Sequence, residues 1–281
     1  MATSRTVLIT GCSSGIGKAT AARLARNGWT VYATARRPET LADLTECKHL
    51  ALDVTDDASM AAAVDAVLAE AGQLDALVNN AGYSLSGAVE TLDVDDIRRE
   101  FETNVFGLVR LSQLVLPAMR SQRRGRIVNI GSMGGKLTFP GGGAYHASKY
   151  AVEAISDALR FEVSGFGVKV VLIEPGLITT NFDNAALASM KLEEDGPYAA
   201  FNRSVARLTA EAYAGPMAKF GGPPEAVAKV VEKALTRNRP KPRYTVTPSA
   251  PASIATRKLL GDRGWDLAMR SQFPRPGAKS G

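Results

Sequence analysis

Short runs of apolar residues alternate along the chain with longer stretches in which apolar residues recur every three or four positions. The short runs predict strands buried on both faces of a sheet, and the longer stretches predict amphipathic helices. Seven strands are predicted, within Arg5–Thr10, Thr30–Arg36, His49–Val54, Leu74–Gly82, Gly125–Ser132, Val168–Gly176 and Pro242–Pro248. Helices are predicted between them at Ile16–Trp29, Ala58–Ala71, Val94–Arg120, Tyr145–Ser164 and Pro224–Leu235.

This alternation is typical of an α/β fold, with one parallel sheet and helices on both of its faces. The length of 281 residues suits one large domain, which we expect over residues 1–250. Residues 184–222 are too many for an ordinary link between a strand and a helix, so we expect them to form a lid over a binding site. Residues 251–281 are expected to be a basic C-terminal extension.

Composition narrows the class of protein. The hydrophobic share of 45% and the charged share of 22% are ordinary for a soluble globular protein, and no apolar run is long enough to cross a bilayer. The first ten residues do not resemble a signal peptide. With only two cysteines and two histidines, we expect no disulfide framework, no metal site and no histidine-based triad, and a cytoplasmic location.

The net charge of +6 is unevenly placed. From Arg237 to the end there are ten Lys/Arg and two Asp/Glu, which gives +8, so the remaining residues carry −2. The main domain therefore gives no support to nucleic-acid binding. The basic extension can contact an anionic membrane or partner, although a solvated surface is the favoured interpretation.

The segment TGCSSGIG, Thr10–Gly17, lies between the first strand and the first helix. Glycines there permit a tight turn and close backbone approach, and the N–H groups of the helix N-terminus attract a pyrophosphate. The position of this loop predicts a doubly wound sheet of the Rossmann type that binds a dinucleotide. The expected contacts in the loop are Gly11, Ser13, Ser14, Gly15, Ile16 and Gly17.

The end of the second strand bears on the choice of dinucleotide. An acidic residue about 20 positions after the glycines would bind the ribose of NAD, but Arg36 occupies that region. A guanidinium pairs with a 2′-phosphate, and Ser13 offers a hydroxyl from the facing loop. The sequence therefore predicts NADP(H), with a solvated arginine as the alternative.

Tyr145 stands four residues before Lys149 in a predicted helix, so both side chains lie on one face. A nearby positive charge favours the phenolate and lowers the pKa of a tyrosine. The two residues can thus act as an acid/base pair, or they are an ordinary surface pair.

Several motifs together resemble the short-chain dehydrogenase/reductase family. They run in the family's order from Arg5 to Phe182: TGCSSGIG, LDV (Leu52–Val54), NNAG (Asn79–Gly82), TNVFG (Thr103–Gly107), GS (Gly131–Ser132), YHASK (Tyr145–Lys149) and PGLITT (Pro175–Thr180). Within the family the chain looks most like the NADP-preferring 17β-hydroxysteroid dehydrogenases and the retinol-dehydrogenase-like members.

The resemblance implies a catalytic group of Asn104, Ser132, Tyr145 and Lys149. Tyr145 would be the general acid in carbonyl reduction and the base in alcohol oxidation, with Lys149 favouring the phenolate and holding the nicotinamide ribose. Ser132 would bond the substrate oxygen, and Asn104 would bind a water that leads to Lys149. It also implies further cofactor contacts at Asp53, Val54, Asn80, Gly82, Pro175, Gly176, Ile178 and Thr180.

The expected function is an NADP(H)-dependent oxidoreductase that interconverts a lipophilic ketone or aldehyde and its alcohol. Candidate pocket walls are Tyr83, Leu85, Met133, Leu137, Phe139, Leu177 and Phe182, with Met190 and Phe201 in the lid. The alternative is a non-catalytic dinucleotide sensor or scaffold, against which the intact Tyr145–Lys149 pair argues. A dehydratase or epimerase of the extended branch would have a different glycine spacing. The resemblance also implies a homodimer or homotetramer, formed through the helices at Val94–Arg120 and Tyr145–Ser164.

Overall fold

The computed structural model describes residues 5–180, 190 and 195–277. Within this part of the chain, seven strands form one parallel sheet in the order β3-β2-β1-β4-β5-β6-β7. The predicted α/β class is confirmed. The strands are β1 (Thr6–Ile9), β2 (Thr30–Ala35), β3 (Lys48–Ala51), β4 (Ala76–Asn79), β5 (Gly125–Ile130), β6 (Val168–Pro175) and β7 (Arg243–Val246).

Helices cover both faces of the sheet. They are α1 (Gly15–Arg26), α2 (Asp57–Ala71), α3 (Val94–Phe101), α4 (Gly107–Ser121), α5 (Gly143–Glu162), α6 (Ala199–Ala214), α7 (Pro224–Thr236) and α8 (Ser249–Arg270). Local chemistry sets some of their ends. The Asp56 carboxylate accepts the Ala58 and Ser59 amides at the start of α2, and Gly72, with φ of 67°, ends that helix in the left-handed region.

The core has two halves because successive side chains of a strand point to opposite faces. Val7 and Ile9 of β1 pack on one side with residues of α1 and α7, whereas Leu8 packs on the other side with residues of α2 and α4. This double burial explains the continuous apolar runs in the sequence. The chain crosses from β3 back to β4 beside β1, and that switch in direction opens a crevice at the carboxyl edge of the sheet.

The helix predicted over Val94–Arg120 is interrupted. A π-helical turn, Glu102–Phe106, separates α3 from α4. Such turns widen the hydrogen-bond spacing of a helix by one residue and occur frequently at functional sites. Here the turn holds Asn104, which is buried.

The 184–222 region contains a helix that the apolar pattern did not predict. Residues 181–189 and 191–194 lie outside the described residues, whereas residues 199–214 form α6. The Asn202 side chain accepts the Ala88 amide at 3.0 Å, and the Tyr198 hydroxyl donates to Glu90 at 2.5 Å. These contacts anchor α6 to the loop that follows β4.

The basic C-terminal extension is also helical, since α8 begins at Ser249 and bends at Gly261, where φ is 61°. The expectation of a solvated segment holds only in part. Trp265 and Met269 are buried against Leu137, and the Trp265 indole donates to the Thr138 carbonyl at 2.9 Å. An indole with apolar neighbours and a backbone acceptor is stable inside a protein. No helix in the described residues is both long and apolar enough to cross a membrane.

Candidate active site

A cavity of about 960 Å³ opens at the carboxyl edge of the sheet, where parallel α/β sheets bind their ligands. Three of the four predicted catalytic residues, Ser132, Tyr145 and Lys149, line it. Asn104 and Gly17 do not form its wall; they lie beneath the lining residues. The predicted cofactor contacts on the wall are Gly11, Ser13, Ser14, Gly15, Ile16, Arg36, Asp53, Val54, Asn80, Gly82, Pro175, Gly176, Ile178 and Thr180.

The glycine loop is built by contacts that no larger side chain would allow. A Cβ on Gly17 would lie 2.2 Å from the Gly11 carbonyl oxygen, and Gly11 and Gly15 have φ of 69° and 55°. The Asn80 amide donates to the carbonyls of Thr10 and Gly11 at 2.8 and 3.1 Å, which fixes the turn. Asn80 was predicted to lie along a ribose, and the structure adds this second role.

The N-terminus of α1 faces the cavity with its amide groups open. Ser14 is the N-cap residue, yet its side chain makes no capping hydrogen bond. The first amides of a helix lack partners within the helix, so they and the positive end of the helix dipole suit an anion. The Thr180 side chain closes this end from the opposite side, because a Cβ on Gly15 would meet it at 3.3 Å.

The far end of the cavity carries positive charge. Arg36 follows β2 and is exposed, with Ser13 on the facing loop. Asp53 lies nearby, but its carboxylate accepts the Thr55 amide and hydroxyl at 2.9 and 2.8 Å. The exposed Arg36 guanidinium makes this end suited to a phosphate.

The Tyr145 phenol lines the cavity together with Ser132. Burial raises the pKa of the phenol above its ordinary value, and the nearby Ser132 side chain offsets part of this rise. The expectation that Lys149 lowers the pKa of Tyr145 is therefore not met in this structure. The Lys149 ammonium donates to the Ile130 carbonyl at 3.0 Å and lies 5.8 Å from the Tyr145 ring centroid. Desolvation of the buried phenol outweighs the charge at that distance.

Asn104 connects three elements from its π-helical turn. Its side chain accepts the Tyr83 amide at 3.0 Å and donates to the Tyr83 carbonyl and the Ser148 hydroxyl at 2.9 and 3.0 Å. A Cβ on Gly82 would lie 2.9 Å from the Asn104 side-chain oxygen and 3.8 Å from the Lys149 nitrogen. The glycine of NNAG is thus needed for close packing of the residues that surround Lys149.

His146 has a structural role next to Tyr145. One ring nitrogen, Nδ1, bonds the Gly134 carbonyl at 2.9 Å, and the other, Nε2, accepts the Phe139 amide at 3.1 Å. Burial lowers the pKa of this histidine, so the ring is neutral and Nδ1 carries the proton. It joins the loop after Ser132 to the segment that leads into α5.

In the other half of the cavity, sequence reasoning identified some of the wall residues and missed others. Of the predicted wall residues, Tyr83, Met133, Phe139 and Leu177 line it, whereas Leu85 and Leu137 are buried away from it, and Phe182 lies outside the described residues. New walls come from α6 and from the segment after α8: Val205, Leu208, Thr209, Glu211, Ala212, Tyr213, Gln272 and Phe273. The spacing of Phe201, Val205, Leu208 and Ala212 is helical and was the available signal.

Met190 and Phe201 do not line this cavity. They are buried with Ala88 and Val205 in a separate apolar cluster, and the Phe201 ring lies 6.3 Å from the Phe273 ring. The prediction that these two side chains form the outer wall of the pocket is therefore wrong. They support the wall from behind, because Phe273 faces the cavity and Phe201 does not.

The arrangement fits a dinucleotide. The glycine turn leaves room where a Cβ would collide, the α1 amides offer an anion site, and the half-buried Tyr145 phenol and the buried Lys149 ammonium lie at the opposite end. Such a site defines a dinucleotide-binding oxidoreductase.

Comparison with known proteins agrees. Residues 5–191 match the family model described as short chain dehydrogenase. A relative described as 3-ketodihydrosphingosine reductase, from Bacteroides thetaiotaomicron, is 37% identical over 266 residues, which cover 94% of this chain and 96% of that protein. The chain belongs to the short-chain dehydrogenase/reductase family and is an oxidoreductase.

Solved structures show the same fold. A short-chain dehydrogenase from Streptomyces avermitilis has a TM-score of 0.80 and 34% identity, covering 96% of this chain and 99% of that one. A serine dehydrogenase complexed with NADP+ has a TM-score of 0.75 and 30% identity, covering 86% and 94%. A family member from Burkholderia phymatum in complex with NAD has a TM-score of 0.78 at 24% identity, covering 99% and 98%, and its likeness concerns the fold alone.

Proposed function

We propose that this protein is an NADP(H)-dependent oxidoreductase that interconverts a lipophilic ketone or aldehyde and its alcohol. Tyr145 is the general acid/base. The observation that carries the proposal is the position of the Tyr145 phenol on the wall of a cavity that also contains Ser132, Lys149 and the glycine turn. The four residues of the implied catalytic group are all present, three on the wall and Asn104 beneath it.

Tyr145 supplies the proton. Burial raises its pKa, so the phenol stays protonated near neutral pH and suits donation to a carbonyl oxygen. Ser132, on the same cavity wall, holds the same substrate oxygen in place. NADPH, when bound, supplies the hydride. In alcohol oxidation the same two side chains work in reverse, with Tyr145 as the acceptor of the alcohol proton.

Lys149 and Asn104 support that transfer. Lys149 binds the nicotinamide ribose hydroxyls, and its charge stabilises the phenolate that Tyr145 becomes after donation. Asn104 holds the Tyr83 backbone and Ser148, so it fixes the walls on both sides of Lys149. This fixed geometry lets the proton return to Tyr145 through the Lys149 side of the site.

The preference for NADP(H) rests on Arg36 and Ser13. Both lie at the end of the cavity that the adenosine ribose would reach from the α1 N-terminus. Guanidinium groups pair strongly with phosphate, and no carboxylate at the end of β2 opposes a 2′-phosphate. The NADP+ complex of the serine dehydrogenase is consistent with this choice, whereas the Burkholderia complex with NAD shows that the fold also binds NAD.

A lipophilic carbonyl compound suits the substrate half of the cavity. Its walls include Met133, Phe139, Leu208 and Phe273, which are apolar. The name of the Bacteroides relative specifies a keto compound as substrate, which agrees with carbonyl reduction. The closer resemblance to 17β-hydroxysteroid and retinol dehydrogenases stays a prediction, as does a cytoplasmic location.

Association into a homodimer or homotetramer is part of the same proposal. Phe106, Tyr150 and Phe161 are 54%, 44% and 85% exposed on the predicted association helices. Large apolar side chains left open on neighbouring helices favour contact with a second copy. A non-catalytic sensor is the alternative function, and the presence of Ser132, Tyr145 and Lys149 on one cavity wall gives no support to it.

The test is a panel of ketones, aldehydes and alcohols followed by NADPH absorbance, with the wild-type protein and Tyr145→Phe side by side. We expect the wild-type protein to turn over at least one lipophilic carbonyl compound and the variant to be nearly inactive. Binding of NADPH without turnover of any compound by either protein would favour the sensor.

A further inference from the structure

Glu100, on α3, is fully buried and belongs to no part of the catalytic group described above. One carboxyl oxygen, Oε1, accepts the Leu85 amide at 2.9 Å. The other, Oε2, is buried and has no hydrogen-bond partner among the described residues. A buried carboxylate with one hydrogen bond is costly unless a positive charge or a proton compensates it, so its position requires a physical reason.

The surroundings of Glu100 lead to Lys149. Asn104 follows Glu100 by one helical turn and bonds Ser148, the residue before Lys149. The Lys149 nitrogen lies 3.8 Å from the position of a Cβ on Gly82, which itself contacts the Asn104 side chain. Carboxyl, amide and ammonium groups therefore share one buried region between α3 and α5.

The charges in this region act on one another. Burial lowers the pKa of Lys149 to about 8, and the Glu100 carboxylate opposes that change. Burial likewise raises the pKa of Glu100 to about 7, and Lys149 opposes it. The Glu100 charge also raises the pKa values of Tyr145 and Tyr83, the other titratable side chains beside it. Asp96 and Arg99, on the same helix as Glu100, act on Tyr83 in opposite directions.

We propose that Glu100 is a positioning residue for Lys149, and that the Glu100 carboxylate is the counter-charge of the buried Lys149 ammonium. Glu100 touches neither substrate nor cofactor in this role; it acts through Lys149. The proposal rests on the proposed function for its link to catalysis. The effect of the Glu100 charge on Lys149 does not depend on that function.

A purely structural role is the competing explanation. In that case Glu100 would serve only as the acceptor of the Leu85 amide. The two roles differ in their dependence on pH. The carbonyl oxygen of glutamine accepts a hydrogen bond as a carboxyl oxygen does, but the amide carries no charge at any pH.

The first test compares Glu100→Gln with the wild-type protein by NADPH binding, measured by fluorescence at pH 6 and pH 8. At pH 6 the wild-type carboxyl is mostly protonated, so we expect dissociation constants within about twofold of each other. At pH 8 Lys149 of the variant has lost its counter-charge and releases its proton more readily. We expect NADPH to bind about 2- to 5-fold more weakly there, because a drop of about half to one unit from a pKa of about 8 lowers the protonated fraction of Lys149 at pH 8 by that factor.

Glu102→Gln is the matched control, because it removes one carboxylate two residues away at an exposed position. It should leave NADPH binding unchanged at both pH values. The proposal would be overturned if the ratio of the Glu100→Gln dissociation constant to the wild-type one were the same at pH 6 and pH 8, or if the two proteins did not differ at either pH.

The second test needs no cofactor and therefore stands if the proposed function fails. Lys149→Met removes the cation and keeps much of the side-chain volume. At pH 5.5 Glu100 is neutral and Lys149 is a buried charge without a counter-ion, so the variant should melt at or above the wild-type temperature. At pH 7.5 the variant leaves Glu100 without its cation, and its melting temperature relative to wild type should fall. An equal change at both pH values refutes the pairing of Glu100 with Lys149.

Discussion

The phenol of Tyr145, in the first turn of α5, shares the cavity wall with the Lys149 ammonium, whose nitrogen lies 5.8 Å from the Tyr145 ring centroid. Replacing Tyr145 by phenylalanine removes the transferable proton and keeps the ring. We expect turnover of a carbonyl substrate to fall by about 10²-fold or more, the scale of general acid catalysis, with NADPH affinity nearly intact. Tyr150→Phe, on an exposed position of the same helix, is the control and should retain full turnover. Undiminished turnover in Tyr145→Phe would show that Tyr145 is not the general acid.

Arg36→Asp tests the choice of cofactor. A carboxylate at this end of the cavity repels a 2′-phosphate and can bond a ribose hydroxyl. We expect the wild-type protein to bind NADPH more tightly than NADH, and the variant to lose or reverse that preference. Isothermal titration with both cofactors measures it. Arg37→Asp makes the same charge change next to the site, at a residue that does not line the cavity, and should change the ratio much less. Equal affinities of the wild-type protein for the two cofactors contradict the assignment.

Gly17→Ala should disrupt the glycine turn although Gly17 does not face the cavity. The added Cβ would lie 2.2 Å from a backbone oxygen and 2.5 Å from the Asn80 amide, so the turn must shift. Overpacking of this kind costs about 1–3 kcal/mol of unfolding free energy. We expect a lower melting temperature together with weaker NADPH binding. Gly165→Ala places its Cβ in open space and is the control; a loss of similar size in both variants would count against the close approach.

Comparing Phe201→Ala with Leu208→Ala distinguishes a residue that supports the pocket wall from one that lines the pocket. Phe201 is buried in the cluster behind the wall, so its truncation should cost about 3–5 kcal/mol of stability and leave the order of substrate preference unchanged. Leu208 lines the cavity, so its truncation should change which lipophilic substrates are preferred at a smaller cost in stability. Thermal melting and the substrate panel give both readouts. A changed preference in Phe201→Ala alone would restore a direct role for that residue in the substrate wall.

Two neighbouring buried carboxyls, Glu153 and Glu174, predict a dependence of stability on pH. Burial, together with the neighbouring Glu153, raises the pKa of Glu174 to about 7. A carboxyl whose pKa is higher in the folded than in the unfolded state favours folding when protonated. Its contribution is therefore lost as the pH rises from about 4.5 through 7. Glu174→Gln should melt progressively higher relative to wild type across that range, and a difference that is constant with pH contradicts this explanation.

The strands and the glycine loop were predictable because their signals are local. Near-continuous apolar runs mark strands buried on both sides, and Gly11, Gly15 and Gly17 mark a turn at a fixed place between strand and helix. These features depend on neighbours in sequence, so one chain suffices to find them.

What the sequence did not predict depends on contacts between distant segments. The alanines of α6 weaken the contrast between its faces, and its packing on the loop after β4 is visible only in three dimensions. Glu100 carries a charge, which in a sequence suggests a solvated position, yet α3 and α5 enclose it. The π-helical turn at Asn104 has no distinct apolar pattern, so the helix was predicted as continuous.

The segment after α8 returns to the cavity, and this affects the order in which the two sides of the site are completed during synthesis. Phe273 lines the substrate side of the cavity, whereas Thr180 lies at its dinucleotide side. The ribosome must add roughly ninety residues between them, which takes on the order of 5–20 s at typical elongation rates. During that interval the emerging chain already holds the glycine turn, Tyr145 and Lys149 while one wall of its substrate pocket is not yet made. Ribosome-bound chains of defined length would show whether the nucleotide site matures before the pocket that confers selectivity.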